Sequence, residues 1–224
     1  MKTIVKCKKF SLTTVLTVFF ALSAVSIAAY ADEVIEPQAS IYGMTSAEWS
    51  GAWWKWALSV PGDRNPILDP DGGFCAEGQS GRVWFLAGNF GGTVERSCTV
   101  PPGKAIFFPI VNFICVATEP EETEQMERDC ANGFIDGISF LEVILDGEKV
   151  TMLRNHRAES PAFNVTLPEG NLFGLDPGVY GPAVSDGYWV MLKPLKPGKH
   201  ELSFQGTASG FHLEVTYHLE VAAK

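Results

Sequence analysis

The chain has 224 residues, 46% of them hydrophobic and 19% charged, with a formal net charge of −9. That composition supports a globular core and argues against a disordered tail or a polytopic membrane protein. The acidic balance repels phosphate, and no stretch beyond residue 31 concentrates Lys or Arg, so neither nucleic acid nor an anionic membrane surface is expected as a partner.

In chain order, Lys2, Lys6, Lys8 and Lys9 precede an apolar run from Phe10 to Ala29, closed by Ala29-Tyr30-Ala31. This is the layout of a secretory signal with an A-x-A cleavage site. Residues 1–31 are therefore expected to be removed and residues 32–224 to form a single domain. Cleavage takes four Lys and no acid, leaving 193 residues at a formal charge of −13. An uncleaved anchor is the alternative, since about 20 residues can span a bilayer; Ser and Thr inside the run and small residues before Asp32 favour cleavage. No second such run follows, so the expected localisation is secreted or periplasmic, without a membrane once cleaved.

Cys7 would leave with the signal, and Cys75, Cys98, Cys115 and Cys130 remain. Four cysteines in an oxidising compartment allow three pairings. Cys75 with Cys98 and Cys115 with Cys130 is the preferred set, because each joins sequence neighbours. No C-x-x-C pair is present to support zinc.

Thr45-Ser46-Ala47-Glu48 has the spacing of a capping box and predicts a helix that ends at Pro61-Gly62. Trp49, Trp53, Trp56 and Val60 fall on one stripe of it. Trp54 projects about 140° from Trp49 and joins Ala47, Gly51 and Leu58 on a second face. Either the helix is clamped on two sides or Trp54 is exposed and binds something flat. From Arg82 the pattern becomes extended: Val83 to Leu86, Thr93 to Val100, and Ala105 to Val111, the last apolar on both faces and carrying Pro109, which marks an edge or a bulge. A short acidic helix is expected to open at Thr118-Glu119-Pro120-Glu121 and close at Gly133. Phe140 to Asp146 and Glu148 to Leu153 flank the hairpin signal Asp146-Gly147. Gly187 to Leu192, Glu201 to Gln205 and the alternating Phe211 to Val221 complete the strands. Many short strands with few helices predict an all-β fold, a two-layer antiparallel β-sandwich of Ig-like or jelly-roll-like type, decorated by the Trp-rich helix and the acidic one.

Val83-Trp84-Phe85-Leu86-Ala87-Gly88, then Val100-Pro101, Gly103-Lys104-Ala105 and Phe107-Phe108-Pro109-Ile110, resemble blocks in a group of uncharacterised secreted bacterial proteins, and the Trp49 to Trp56 helix looks like part of that pattern. The resemblance implies bacterial export and supplies no activity, ligand or catalytic residue. Leu195 to Leu202 with the strand that follows is similar to the closing hairpin of many Ig-like sandwiches.

Candidate chemistry is sparse. His212 and His218 share a strand face but stand about 20 Å apart along it, too far to share an ion. Asp63, Asn65, Asp69, Asp71 and Glu77 offer oxygen ligands to calcium, yet turn formation explains the same residues. Gly78-Gln79-Ser80-Gly81 misses the nucleophile elbow by one position. No metal, cofactor or catalytic residue is assigned. The leading expectation is a non-catalytic exported protein that binds a ligand, such as a glycan or an envelope component, through exposed aromatics, with Trp54 and Trp189 the candidates. A secreted hydrolase using a carboxylate pair and an envelope structural or assembly subunit are the alternatives.

Overall fold

A computed structural model describes residues 33–223, so the expected signal lies outside the described residues. Two β-sheets pack face to face, as the strand pattern predicts. One has strand order β1-β3-β7-β6, formed by β1 Val83–Phe85, β3 Ala105–Val116, β7 Gly178–Leu192 and β6 Phe163–Leu167. The other has the order β2-β9-β8-β4-β5, formed by β2 Gly92–Val100, β9 Phe211–Val221, β8 Gly198–Ala208, β4 Ile138–Leu145 and β5 Glu148–Lys149. Most neighbours are antiparallel; β1 with β3 and β2 with β9 run parallel.

Helix α1, Ser46–Ser59, starts where the capping box places it. Thr45 N donates to Glu48 Oε2 at 2.8 Å and Glu48 N donates to Thr45 Oγ1 at 3.3 Å; the first of these bonds holds the Glu48 carboxyl below its ordinary range. The helix lies on the outer face of the four-stranded sheet, so β3 is buried on both sides. Ile106, Phe108 and Ile110 face the space between the sheets, while Ala105 and Phe107 meet Trp53, Trp56 and Ala57 of α1. Two apolar layers against one strand account for its unbroken apolar run. Pro109 sits at a register shift between Pro109 and Val111, a bulge in a central strand rather than an edge.

Local departures have local causes. The acidic helix α2 spans Glu124–Ile135 and does not open at Thr118, because Glu122 Oε2 accepts the N–H groups of Thr118 at 2.6 Å and Glu119 at 3.0 Å and closes a separate turn around Pro120. Thr123 then caps the helix. It passes Gly133, its last turn held by the fully buried Ile135. Asp146 and Gly147 both take positive φ, as a two-residue hairpin turn requires, but β5 is short because Met152 also adopts φ 59° and leads into a 3-10 turn. β6, absent from the sequence expectations, adds an edge strand beside β7.

The disulfides are Cys75–Cys98 and Cys115–Cys130, the preferred pairing. The first ties the connection after α1 to β2; the second ties α2 to β3. Closing loops of this size contributes about 3 kcal/mol each through the unfolded chain. Cys75 and Cys98 are both buried, whereas Cys130 is exposed. A dithiol reductant added without denaturant should therefore open Cys115–Cys130 first. Alkylation followed by peptide mapping reads the order, and equal rates at the two bridges would contradict it.

Candidate functional site

Neither aromatic singled out from the sequence forms a surface platform. Trp189 is 1% exposed, stacked on Phe107 at 5.2 Å and edge-on to Trp53 at 5.6 Å. Trp54 is 6% exposed, edge-on to Trp53 at 5.0 Å, in an apolar cluster that includes Ile67 of the connection after α1 and Leu172 and Leu175 of the connection after β6. Here the reading of a helix clamped on two sides describes the structure. The oxygen-rich loop is likewise turn chemistry: Asp69 accepts from the N–H groups of Asp71, Gly72 and Phe74, and Asn65 Nδ2 donates to the carbonyls of Ala57 and Val60 at the end of α1. Among the described residues, no three His, Cys, Asp or Glu side chains converge as a metal site.

Trp54 does line an apolar cleft of about 230 Å³, which Trp189 does not reach. Strand β3 supplies its floor with Asn112, Phe113 and Ile114. Asn112 pairs with Gly187 of β7, where a Cβ would fall 2.7 Å from the Asn112 Cβ, so glycine at 187 is what admits the asparagine. On the α2 side, Phe134 stacks on Phe113 at 4.3 Å and meets Phe211 of β9 edge-on at 6.0 Å. The Cys115–Cys130 bridge fastens this wall. Two further rings stand at the cleft on side-chain-braced turns. Asn89 bonds Gly91 N and Gly92 O around Phe90, which is 57% exposed, and Asn171 bonds Phe173 N and Leu175 O around Phe173, which is 41% exposed.

The opposite wall, with Ile67 and Gly88, is set by Arg96. This guanidinium projects from β2 into the core and is 1% exposed. Nε donates to Asp69 O at 2.7 Å, Nη2 to Ile67 O at 3.0 Å, and Nη1 to Ala87 O at 3.0 Å, Gly88 O at 2.9 Å and the Tyr217 hydroxyl at 3.0 Å. Burial pushes the Tyr217 phenol up, against the pull of Arg96. One side chain thus satisfies carbonyls on two connections, with Ala87 O taking a second bond from the Tyr217 hydroxyl.

Two buried side-chain polar atoms in the cleft residues lack a hydrogen-bond partner, Trp54 Nε1 and Asn112 Nδ2. Both are N–H donors.

A second hollow, of about 790 Å³, mixes polar and apolar side chains and lies beside Cys75–Cys98 against β2, β8 and β9. There His200 Nδ1 lies 2.7 Å from Asp146 Oδ2 and Nε2 lies 2.9 Å from Lys196 O. With an acceptor at each ring nitrogen, the imidazolium is favoured: burial lowers the His200 pKa, but Asp146 and the Lys196 carbonyl outweigh it and the net shift is upward. His218 meets Glu95 at 2.5 Å and Glu201 at 3.7 Å.

No family model, curated protein or solved structure matches the chain. The cleft was not legible as a site in the sequence, although signals for it exist. Arg96 occupies the inward phase of a strand shared with Val94, Cys98 and Val100, and Phe90 and Phe173 sit inside the turns Asn89-Phe90-Gly91-Gly92 and Asn171-Leu172-Phe173-Gly174.

Arg96→Met should cost about 3 kcal/mol or more in urea unfolding, since the variant strands buried carbonyls; a loss under about 1 kcal/mol would refute this role. His200 has a raised native pKa, so its stabilising contribution is complete below its unfolded value of about 6.5 and fades as pH rises through the native one. The stability gap between the wild type and His200→Gln should therefore be larger at about pH 5.5 than at about pH 8. A gap that widens with pH would reverse the assignment.

Proposed function

We propose that this chain is an exported, non-catalytic protein that binds a small apolar ligand in the aromatic cleft. The observation that carries the reading is the pair of braced turns that hold Phe90 and Phe173 partly in solvent beside a concave apolar wall. Exposed rings held at a preformed concavity lose little entropy on binding and bury a large area. Export is supported by the leader pattern of residues 1–31, by two disulfides, and by the absence, among the described residues, of a helix long and apolar enough to cross a membrane. Burial of Trp54 and Trp189 moves the expected ligand from a glycan on a flat platform to an apolar group within a cleft.

Neither alternative gains comparable support. The two carboxyls raised by burial, Glu127 and Asp186, lie outside the cleft wall, and Arg157 clamps Asp186 through Nε at 2.9 Å and Nη2 at 2.6 Å. For an assembly subunit one looks for an open sheet edge. The edge strand β2 is instead covered where Ser97 N donates to Asp71 O, and Gly72 lies so close that a Cβ would fall 2.0 Å from Ser97 O. Along β4, Val150 N donates to Val143 O, and Arg154 bonds the carbonyls of Ile138 and Ser139.

Toluene at saturating concentration should raise the melting temperature, because a ligand held by the folded state alone stabilises that state. Phe90→Asp with Phe173→Asp should abolish the rise while changing ligand-free stability by about 1 kcal/mol or less, as both rings are exposed. No rise in the wild type, or an equal rise in the double variant, would rule the cleft out as the binding site.

A further inference from the structure

We infer that this chain has a second binding site, independent of the aromatic cleft, at which His156 with the carboxylates of Glu36 and Glu148 takes up a protonated primary amine carried on a short apolar chain. Hydrogen-bonding capacity, charge and shape each point to that class.

The site is a hollow of about 450 Å³ lined by the lead-in residues 34–38, the end of β4, β5 and the 3-10 turn Leu153–His156. Main-chain bonds fix its walls. Ile35 N donates to Met191 O at 2.8 Å and Lys193 N to Glu33 O at 2.8 Å, which lays the lead-in along the end of β7. Val150 N donates to Val143 O at 2.9 Å beside β5.

His156 supplies the specific element. It is 5% exposed, and its Nδ1 lies 3.2 Å from Trp189 O. A carbonyl only accepts, so Nδ1 carries the proton and Nε2 keeps a lone pair. Among the described residues Nε2 has no partner, yet unlike Trp54 Nε1 and Asn112 Nδ2 it is not sealed from water, and the hollow is where His156 opens. Burial holds the His156 pKa below its ordinary value, against the opposing pulls of the Trp189 carbonyl and Glu36, so the ring is neutral at neutral pH. An acceptor held in one orientation by the backbone calls for an N–H or O–H group from whatever enters.

Charge narrows the class. Glu36 and Glu148 line the same hollow and neither is in an ion pair among the described residues, whereas Lys149, the one Lys or Arg of the lining, is held by Glu142. A bare lone pair and two unpaired carboxylates attract a cationic donor and repel an anion. An ammonium meets both needs with one group, an N–H directed at Nε2 and a charge shared by the carboxylates. A divalent metal needs more ligands than this, and no three His, Cys, Asp or Glu side chains converge among the described residues. Val34, Ile35, Leu145 and Val150 on the same hollow give the chain of the amine an apolar surface to cover.

The test uses hexylamine and hexyltrimethylammonium, both cationic at neutral pH, on the disulfide-bonded protein. They carry the same charge on the same chain, but the second has no N–H. Nitrogen NMR of the labelled imidazoles reads the site in the wild type: hexylamine should move the His156 Nε2 resonance and hexyltrimethylammonium should leave it in place. By titration calorimetry hexylamine should bind about tenfold or more tightly than hexyltrimethylammonium, the effect of one hydrogen bond from a charged donor. His156→Phe keeps a ring and should bring the two dissociation constants within about twofold of each other; because they are compared within one variant, a general loss of stability does not enter. Glu36→Gln, at an exposed position, should weaken both cations alike by about twofold to fivefold. The Phe90→Asp, Phe173→Asp double variant should bind hexylamine as the wild type does. An Nε2 resonance unmoved by hexylamine, equal wild-type affinity for the two cations, or zinc moving that resonance where hexylamine does not, overturns the inference. So does loss of hexylamine binding in the double phenylalanine variant, which would put the amine in the aromatic cleft instead.

Discussion

A guanidinium buried among backbone carbonyls is the constraint on which the rest of this structure depends. The connection after α1 is long, the one after β1 (residues 86–91) has no regular structure, and Arg96 reaches Ile67, Asp69, Ala87 and Gly88 from one position on β2. Tyr217 closes the arrangement by accepting from Arg96 and donating to Ala87 O. A charged group is costly to bury unless its donors are met. Here Nε, Nη1 and Nη2 each find acceptors, and in return two loops acquire one fixed path. Ile67 and Gly88 can serve as a wall of the cleft because that path is fixed.

The other wall depends on oxidised sulfur and ring stacking. α2 buries few of its own residues, and a helix of twelve residues does not hold its shape on propensity alone. Cys115–Cys130 and the Phe113–Phe134 stack supply what its sequence lacks. The cleft is consequently a junction: its rings come from two helices, two strands and two turns, and none of these elements forms it alone. The same dependence links export to function in the proposed reading, since an oxidising compartment is what keeps the α2 wall in place.

Much of the architecture was legible in the sequence by itself. The capping box at Thr45, the two-faced apolar run of β3, the hairpin at Asp146-Gly147 and the alternation of β9 are all local patterns, governed by backbone stereochemistry and burial period over a few residues; the structure decided between an edge and a bulge at Pro109 and among the three pairings of the cysteines. What eluded it was also local in cause: Glu122 accepting the Thr118 and Glu119 amides, and Met152 turning left-handed, are choices between competing short-range hydrogen-bond patterns that composition does not rank.

Tertiary structure decided the rest. Whether Trp54 joins a cluster with Leu172 and Leu175, more than a hundred positions away, depends on the whole fold, and whether Phe90, Phe113, Phe134, Phe173 and Phe211 are scattered rings or one surface depends on how the two sheets are placed against both helices. Periodicity reports which side of an element is apolar; it carries no information on what packs there, because hydrophobic burial is non-directional and any apolar partner satisfies it. Unmade hydrogen bonds are likewise invisible in sequence. An indole N–H or an amide is unpaired only by virtue of what the folded chain fails to bring within hydrogen-bond reach, as at Trp54, Trp84, Trp189 and Asn112.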